Sequence, residues 1–172
     1  MKQFTINKGK HYCTSAWKKF FRPRWGHDKW LLSFILTEDC WWAPPRNQDD
    51  FEDINKLYGC GFGSNHHKNS WRLGWIPVFT KKNCFSIYAY VYDKTGQHIA
   101  EELGEVKANK ACTVSVEVKD KKYWFSCLDL GQQVCLPNEH KDCKLQFDLH
   151  PYHGGNNTAP QKETFFIDYK PK

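Results

Sequence analysis

The clearest regularity along the chain is a period of two. Cys84–Tyr92 places Phe85, Ile87, Ala89 and Val91 on one side and Ser86, Tyr88, Tyr90 and Tyr92 on the other. Successive side chains of a strand point to opposite faces, so the segment predicts a strand with one apolar face and one tyrosine stripe. Such a stripe suits packing on another sheet or lining a groove. Residues 111–118 alternate in the same way, with Cys112, Val114, Val116 and Val118 inward. A lysine-rich turn at 119–122 then leads into the apolar run 123–128, which predicts an antiparallel hairpin. Residues 144–149 and 164–169 read as further strands, and Phe4 to Ile6 as a short edge strand. The near-continuous apolar run 30–36 predicts a strand buried on both faces, with a short buried helix as the alternative. No amphipathic helix longer than two turns is visible. About nine short strands separated by polar turns predict an all-β fold, an antiparallel two-sheet β-sandwich that is jelly-roll-like. A closed β-barrel is the runner-up, because alternation alone does not separate the two.

Composition narrows this picture. A chain of 172 residues suits a single domain spanning 1–172, with residues 8–29 as a basic, aromatic-rich connection. Lys18, Lys19, Arg22 and Arg24 beside Trp17, Phe20, Phe21 and Trp25 have the chemistry to hold single-stranded nucleic acid. No nucleic-acid motif accompanies them, so packing of these rings on the core is the favoured reading. The net charge of +6 is mild and spread along the chain, which fits solubility better than a polyanionic partner. Eight cysteines include no Cys-x-x-Cys pair, and the first ten residues have no apolar core of a leader peptide. They therefore read as reduced, small core residues of a cytoplasmic protein. No apolar run approaches a membrane span.

Two polar clusters stand out against this background. In the first, Gly59, Gly61 and Gly63 alternate and lead into His66, His67, Ser70, Arg72 and Trp75. If 65–75 is one strand, His66, Lys68, Ser70 and Arg72 share a polar face, and His67, Trp71 and Trp75 share the other. A guanidinium fork, a hydroxyl and an imidazole in a row suit phosphate, carboxylate or sugar hydroxyls. In the second, Tyr152, His153 and Asn156 flank the Gly154-Gly155 turn of a late loop. Loops from distant strands meet at one end of a sandwich, so this loop is expected to close one pocket with the first cluster. His66, His67, His150, His153 and Cys60 are the candidate metal ligands, but adjacent histidines on a strand point apart, and the expectation is no metal and no cofactor. The acidic run 48–55 offers oxygen ligands without the EF-hand spacing and reads as a solvated turn. Cys60 lacks a thiol-enzyme context. The carboxylate pairs Glu101/Glu102 and Asp49/Asp53 are not placed in the pocket by any pattern, and no Walker loop, Rossmann glycine pattern or nucleophile elbow is present.

The run 55–59, the His66-His-Lys-Asn-Ser70 motif with Arg72, Gly74 and Trp75, the stripe 88–92, and Pro151-Tyr-His-Gly-Gly-Asn156 with Ala159-Pro160 together resemble a group of uncharacterised β-sandwich proteins of Bacteroidetes-type bacteria and phages. In that group the late motif more often carries Phe where this chain has His153. The resemblance implies a sandwich and the site, and no reaction. A looser likeness to galectin-type lectins lies in His67-x-Asn69-x-x-Arg72 before Trp75, with departing spacing. The leading expectation is thus a non-enzymatic protein binding a small anionic or sugar-containing ligand through His66, His67, Ser70, Arg72, Trp75, Tyr152, His153 and Asn156. It takes the form of a phage protein sequestering a nucleotide immune signal, or of a glycan-binding module. The competing classes are a hydrolase or lyase acting on a sugar or phosphodiester, and a structural protein that oligomerises through the tyrosine stripe.

Overall fold

The computed structural model describes residues 1–13, 24–43, 53–63, 65–138 and 145–171. These residues form two six-stranded antiparallel sheets packed face to face, with no α-helix among them. The first sheet runs, in spatial order, β1 (Lys2–Ile6), β12 (Glu163–Pro171), β3 (Lys29–Leu36), β8 (Cys112–Lys119), β9 (Lys122–Cys127) and β10 (Gln132–Pro137). The second runs β2 (Arg24–Trp25), β11 (Leu145–Leu149), β4 (Asn55–Phe62), β5 (Ser70–Pro77), β6 (Cys84–Tyr92) and β7 (His98–Lys107). The chain changes sheet on either side of β2, between β3 and β4, between β7 and β8, and on either side of β11, as in a jelly roll. Among the described residues the two sheets stay separate and neither closes on itself, so the expected sandwich forms and the barrel does not.

The period of two decides the core. Trp30, Leu32, Phe34 and Leu36 of β3, Val114 and Val116 of β8, and Phe165 and Ile167 of β12 face inward from the first sheet. Leu57, Trp71, Leu73, Trp75, Phe85, Ile87, Ala89 and Val91 meet them from the second. The sheets touch through large rings: Trp30 lies 5.2 Å from Trp71, and Trp71 meets Phe125 edge-on at 6.1 Å. Edge-to-face and tilted pairs of this kind add to the apolar area that each ring buries. The outer residues of β3, Leu31, Ser33 and Ile35, are half-buried rather than enclosed, so its apolar run overstated burial on the second face. The predicted β8–β9 hairpin closes at Asp120 and Lys121, both at positive φ (53° and 57°), which is the two-residue turn whose twist matches that of its strands. Of the cysteines, Cys13, Cys40, Cys60, Cys112 and Cys127 are buried, as small apolar residues would be. Residues 14–23 of the basic connection 8–29 and residues 48–52 of the acidic run 48–55 lie outside the described residues.

Candidate functional site

The face of the second sheet turned away from the core carries the chemistry. The strand registers set three rows across it. One row is Gly59, Arg72, Tyr90 and Ala100; a second is Phe147, Gly61, Ser70, Tyr92 and His98; a third is Lys56, Gly74, Tyr88 and Glu102. The alternate glycines are explained by this arrangement. A Cβ on Gly59 would lie 2.8 Å from Cγ of Arg72 and closer still to a backbone oxygen, so the arginine lies across bare main chain. A Cβ on Gly61 would lie 2.5 Å from the Phe147 ring. The glycines are thus a floor on which Arg72 and Phe147 rest, a case of close backbone approach.

The strand pattern expected over 65–75 begins only at Ser70. Residues 65–68 form a turn held by local bonds: Oδ1 of Asn65 accepts the His67 N–H (2.9 Å), the Lys68 N–H donates to the Asn65 carbonyl (3.1 Å), and the Ser70 hydroxyl donates to the His66 carbonyl (2.6 Å). Asparagine and serine favour such self-bonded turns over a strand ladder. The face assignment for His66 and His67 is corrected accordingly. Both imidazoles lie on one side of the sheet, 4.1 Å apart, with His66 edge-on to Phe147 (6.5 Å) and His67 edge-on to Tyr92 (5.2 Å).

The late loop reaches the same face through Tyr152. Its backbone exchanges two hydrogen bonds with Lys56, at 2.8 and 2.9 Å, and continues the sheet beyond β11. Tyr12 and His11 of the N-terminal segment pack on the Tyr152 ring, at 5.0 and 5.3 Å. The next residue, His153, points the other way. It is buried, and its Nδ1 lies 2.9 Å from Glu163, whose carboxylate also accepts the Trp42 indole N–H at 3.1 Å. Strand parity accounts for this division of neighbours. Asn156 sits exposed at the Gly155–Asn157 bend. Trp75 is in the core, edge-on to Phe85 at 5.6 Å, and offers no platform to a ligand. Ser70 is fully buried with its hydroxyl committed to the turn. Of the residues expected to form the site, the fold brings His66, His67, Arg72 and Tyr152 to one face; Trp75, expected on the face opposite Arg72, is there and in the core, and His153 is turned inward. The sequence pattern passes over Lys56 and His98, and it names Tyr90 and Tyr92 only as part of a stripe suited to sheet packing or to lining a groove. Their signal is the tyrosine stripe itself, once its register opposite Arg72 is known.

Electrostatics set this face apart. Arg72 is 8% exposed, its Nε has no hydrogen-bond partner, and among the described residues no carboxylate pairs with it. Burial lowers its pKa to about 10, against the opposing pull of Tyr92, Tyr90, Tyr152 and Tyr12. Lys56, 4.8 Å above the Tyr90 ring, is lowered to about 8 by burial and by Arg72, with Asp53 acting against them. Burial and the same guanidinium lower His66 to about 4, and His67 shifts in the same direction for the same two reasons. Tyr90 and Tyr152 are raised, chiefly by burial. At neutral pH Arg72, with no carboxylate paired to it among the described residues, and Lys56, with Asp53 acting on it, therefore stand beside the uncharged imidazoles of His66 and His67 and the protonated phenols of Tyr90 and Tyr152. Among the described residues no three His, Cys, Asp or Glu side chains gather to hold a metal. Cys60, facing the core, and His153, on Glu163, lie apart from the paired histidines.

No protein-family model matches the sequence, and neither does any curated protein sequence. Solved structures do match its fold. The chain is similar to the alginate lyase AlyC3, with a TM-score of 0.60 at 14% identity over 98% of this chain and 74% of that one. The alginate lyase from Klebsiella pneumoniae matches with a TM-score of 0.59 at 7% identity, over 84% of this chain and 60% of that one. The alginate lyase A1-II′, a member of polysaccharide lyase family 7, matches with a TM-score of 0.53 at 11% identity, over 88% and 65%. The chain thus spans about three-quarters of the first and under two-thirds of the other two. At these identities the likeness is one of fold. It counts against the leading expectation of a non-enzymatic receptor, because the architecture is the one found in these alginate lyases.

Proposed function

We propose that the protein is a polysaccharide lyase that cleaves an acidic, uronate-containing glycan by β-elimination on the outer face of the second sheet. The observation that carries this reading is Arg72, a buried guanidinium with no carboxylate partner among the described residues, flanked by neutral imidazoles and phenols. A buried charge left without its counter-ion is costly, and a site that maintains one is suited to an anionic group of the ligand. The shared fold of alginate lyases, one of them described in complex with dimannuronate, supports a uronate as that group.

Elimination from a uronate needs three functions. The carboxylate must be neutralised so that the C5 proton becomes acidic, a base must take that proton, and an acid must protonate the departing O4. Arg72, with Lys56 beside it, supplies the first by holding the carboxylate as its charge spreads into the enolate. His67 is the base. Its lowered pKa keeps the ring unprotonated, it is exposed to an incoming chain, and Tyr92 packs against it. Tyr152 is the acid: its raised pKa keeps the phenol protonated, and it stands on the Lys56 side of the guanidinium. The C5–H bond breaks toward His67, the C4–O4 bond breaks toward Tyr152, and a C4=C5 double bond forms without water.

The test is incubation of the purified protein with alginate, pectate and a neutral glucan as control. The expected result is ultraviolet absorbance of an unsaturated uronate from an acidic polymer. New reducing ends without that absorbance would mean hydrolysis and overturn the reading. Recovery of every acidic polymer intact would do so as well.

A further inference from the structure

Outside the site, the first sheet holds a pair of thiols that this reaction does not use. Cys112 of β8 and Cys127 of β9 face the core from neighbouring strands, each 1% exposed, with their sulfurs 3.4 Å apart. The register pairs Cys127 with Val114, so the cysteines are diagonal neighbours on the same face of the hairpin. We propose that Cys112 and Cys127 are a redox-active pair that a peroxide closes into a disulfide, pinning β8 to β9.

Three features support this. The sulfurs need about 1.4 Å of further approach to reach bonding distance, which side-chain rotation and a small strand adjustment can supply. Cys127 is the last residue of β9, and the N–H groups of Leu130 and Asp129 in the turn that follows are directed at its sulfur. With the hydrogen bond from the Cys112 thiol, the larger influence, they favour the Cys127 thiolate against the cost of burial. The approach runs through that same turn. Leu128 is 59% exposed, Gly131 has a positive φ of 63°, and Asp129 ties the turn to the Thr113 N–H at 2.6 Å.

The Cys127 thiolate attacks one peroxide oxygen, the O–O bond breaks, and hydroxide leaves to give a sulfenic acid on Cys127. The Cys112 sulfur then attacks that sulfur, its proton and the departing hydroxyl leave as water, and the S–S bond forms. The first hydroxide takes up the proton that Cys127 had given to solvent. Two thiols and one peroxide thus become one disulfide and two waters. The half-buried thiols of Cys84 and Cys135 serve as internal controls.

The experiment uses the full chain. Reduced protein is treated with hydrogen peroxide under native conditions, freed of peroxide, unfolded, alkylated with iodoacetamide and mapped by mass spectrometry without reduction. The expected product is a 112–127 cross-linked peptide two hydrogens lighter, restored to two alkylated cysteines when dithiothreitol precedes the alkylation. The oxidised protein should melt higher than the reduced one by about 6–12 °C, as closure of a loop of this length implies, and a Cys112→Ser/Cys127→Ser double variant should show no shift. Recovery of both cysteines alkylated would overturn the proposal. So would Cys127 carried on to sulfinic acid without a cross-link. The wild-type peptide map decides the matter without any variant having to fold.

Discussion

Replacing Arg72 by methionine should make the protein more stable and inactive. The guanidinium is almost wholly buried, and burial lowers its pKa from the ordinary arginine value to about 10. At about 1.4 kcal/mol per tenfold change, holding that charge in the folded state costs about 3 kcal/mol. Methionine keeps an unbranched apolar stem of similar reach over the bare backbone of Gly59 and removes the charge. Tyr90 loses a cationic neighbour but keeps its hydrogen bond with Tyr92, so the phenols lose about 1 kcal/mol of the gain. The net is about 2 kcal/mol of added stability, a rise of about 4–8 °C in melting temperature for a chain of this size. Thermal melts of the two proteins, each with and without alginate, read both halves of the argument. Wild type should gain stability from the polymer, and Arg72→Met should start higher, gain nothing and produce no unsaturated product. Arg72→Lys, which keeps a charge and loses the planar fork, should show no such stabilisation and little activity. A methionine variant that melts below wild type would refute the reasoning, because Arg72 would then be holding the sheet together rather than waiting for an anion.

Three further outcomes follow from the same geometry. His67→Ala and Tyr152→Phe should each lower kcat by about 10²–10⁴-fold with little change in melting temperature, as removal of a proton-transfer group does, and a loss confined to KM would reassign them to binding. Lys56 has a folded pKa of about 8, below its unfolded value, so the unliganded protein should gain stability as pH rises from 8 towards 10.5 and lose that gain as pH returns to 8. Over the same rise kcat/KM on an acidic polymer should fall, since the cation that holds the carboxylate is lost, and a profile flat from pH 7 to 9 would count against Lys56 as a binding group. His153→Ala leaves the buried Glu163 with only the Trp42 indole N–H, and should cost about 3 kcal/mol of stability in denaturant melts while the activity of folded protein is retained; a selective loss of kcat would instead return His153 to the site.

The sandwich was legible where one face of a strand is apolar and the other polar. Cys84–Tyr92 and residues 112–127 carry that alternation, and both form the expected strands. The strands that the pattern passes over are β7 and β10, at sheet edges, and the two-residue β2. In β7, His98–Lys107, only Leu103 and Val106 are buried, so no apolar period announces a strand. An edge strand gains its place from backbone pairing with one neighbour, and its sequence answers mainly to solvent. Two carboxylates, Glu101 and Glu102, sit within it beside Ala89 and Tyr88 for that reason.

The site was half legible, and the halves divide on a physical line. Arg72 and the glycines stand out because a cation amid a glycine run is an oddity of composition, which survives translation into three dimensions. His67 was assigned to the wrong face because facing is a matter of parity, and parity counts only from where a strand begins, whereas Trp75 lies opposite Arg72 as its parity requires and that side is the core. One turn, held by Asn65 and Ser70, moved that origin from 65 to 70 and put both histidines on one side. The fold met the same question in the late loop, where Tyr152 pairs with Lys56 and so faces the cations while His153 faces Glu163. Local hydrogen bonds therefore decide which imidazole faces outward beside Arg72 and which is a strut against Glu163. The charge imbalance follows a different logic: Arg72 lowers the pKa of Lys56, His66 and His67, Lys56 adds to the effect on His67, and an anion bound among them would relieve that repulsion.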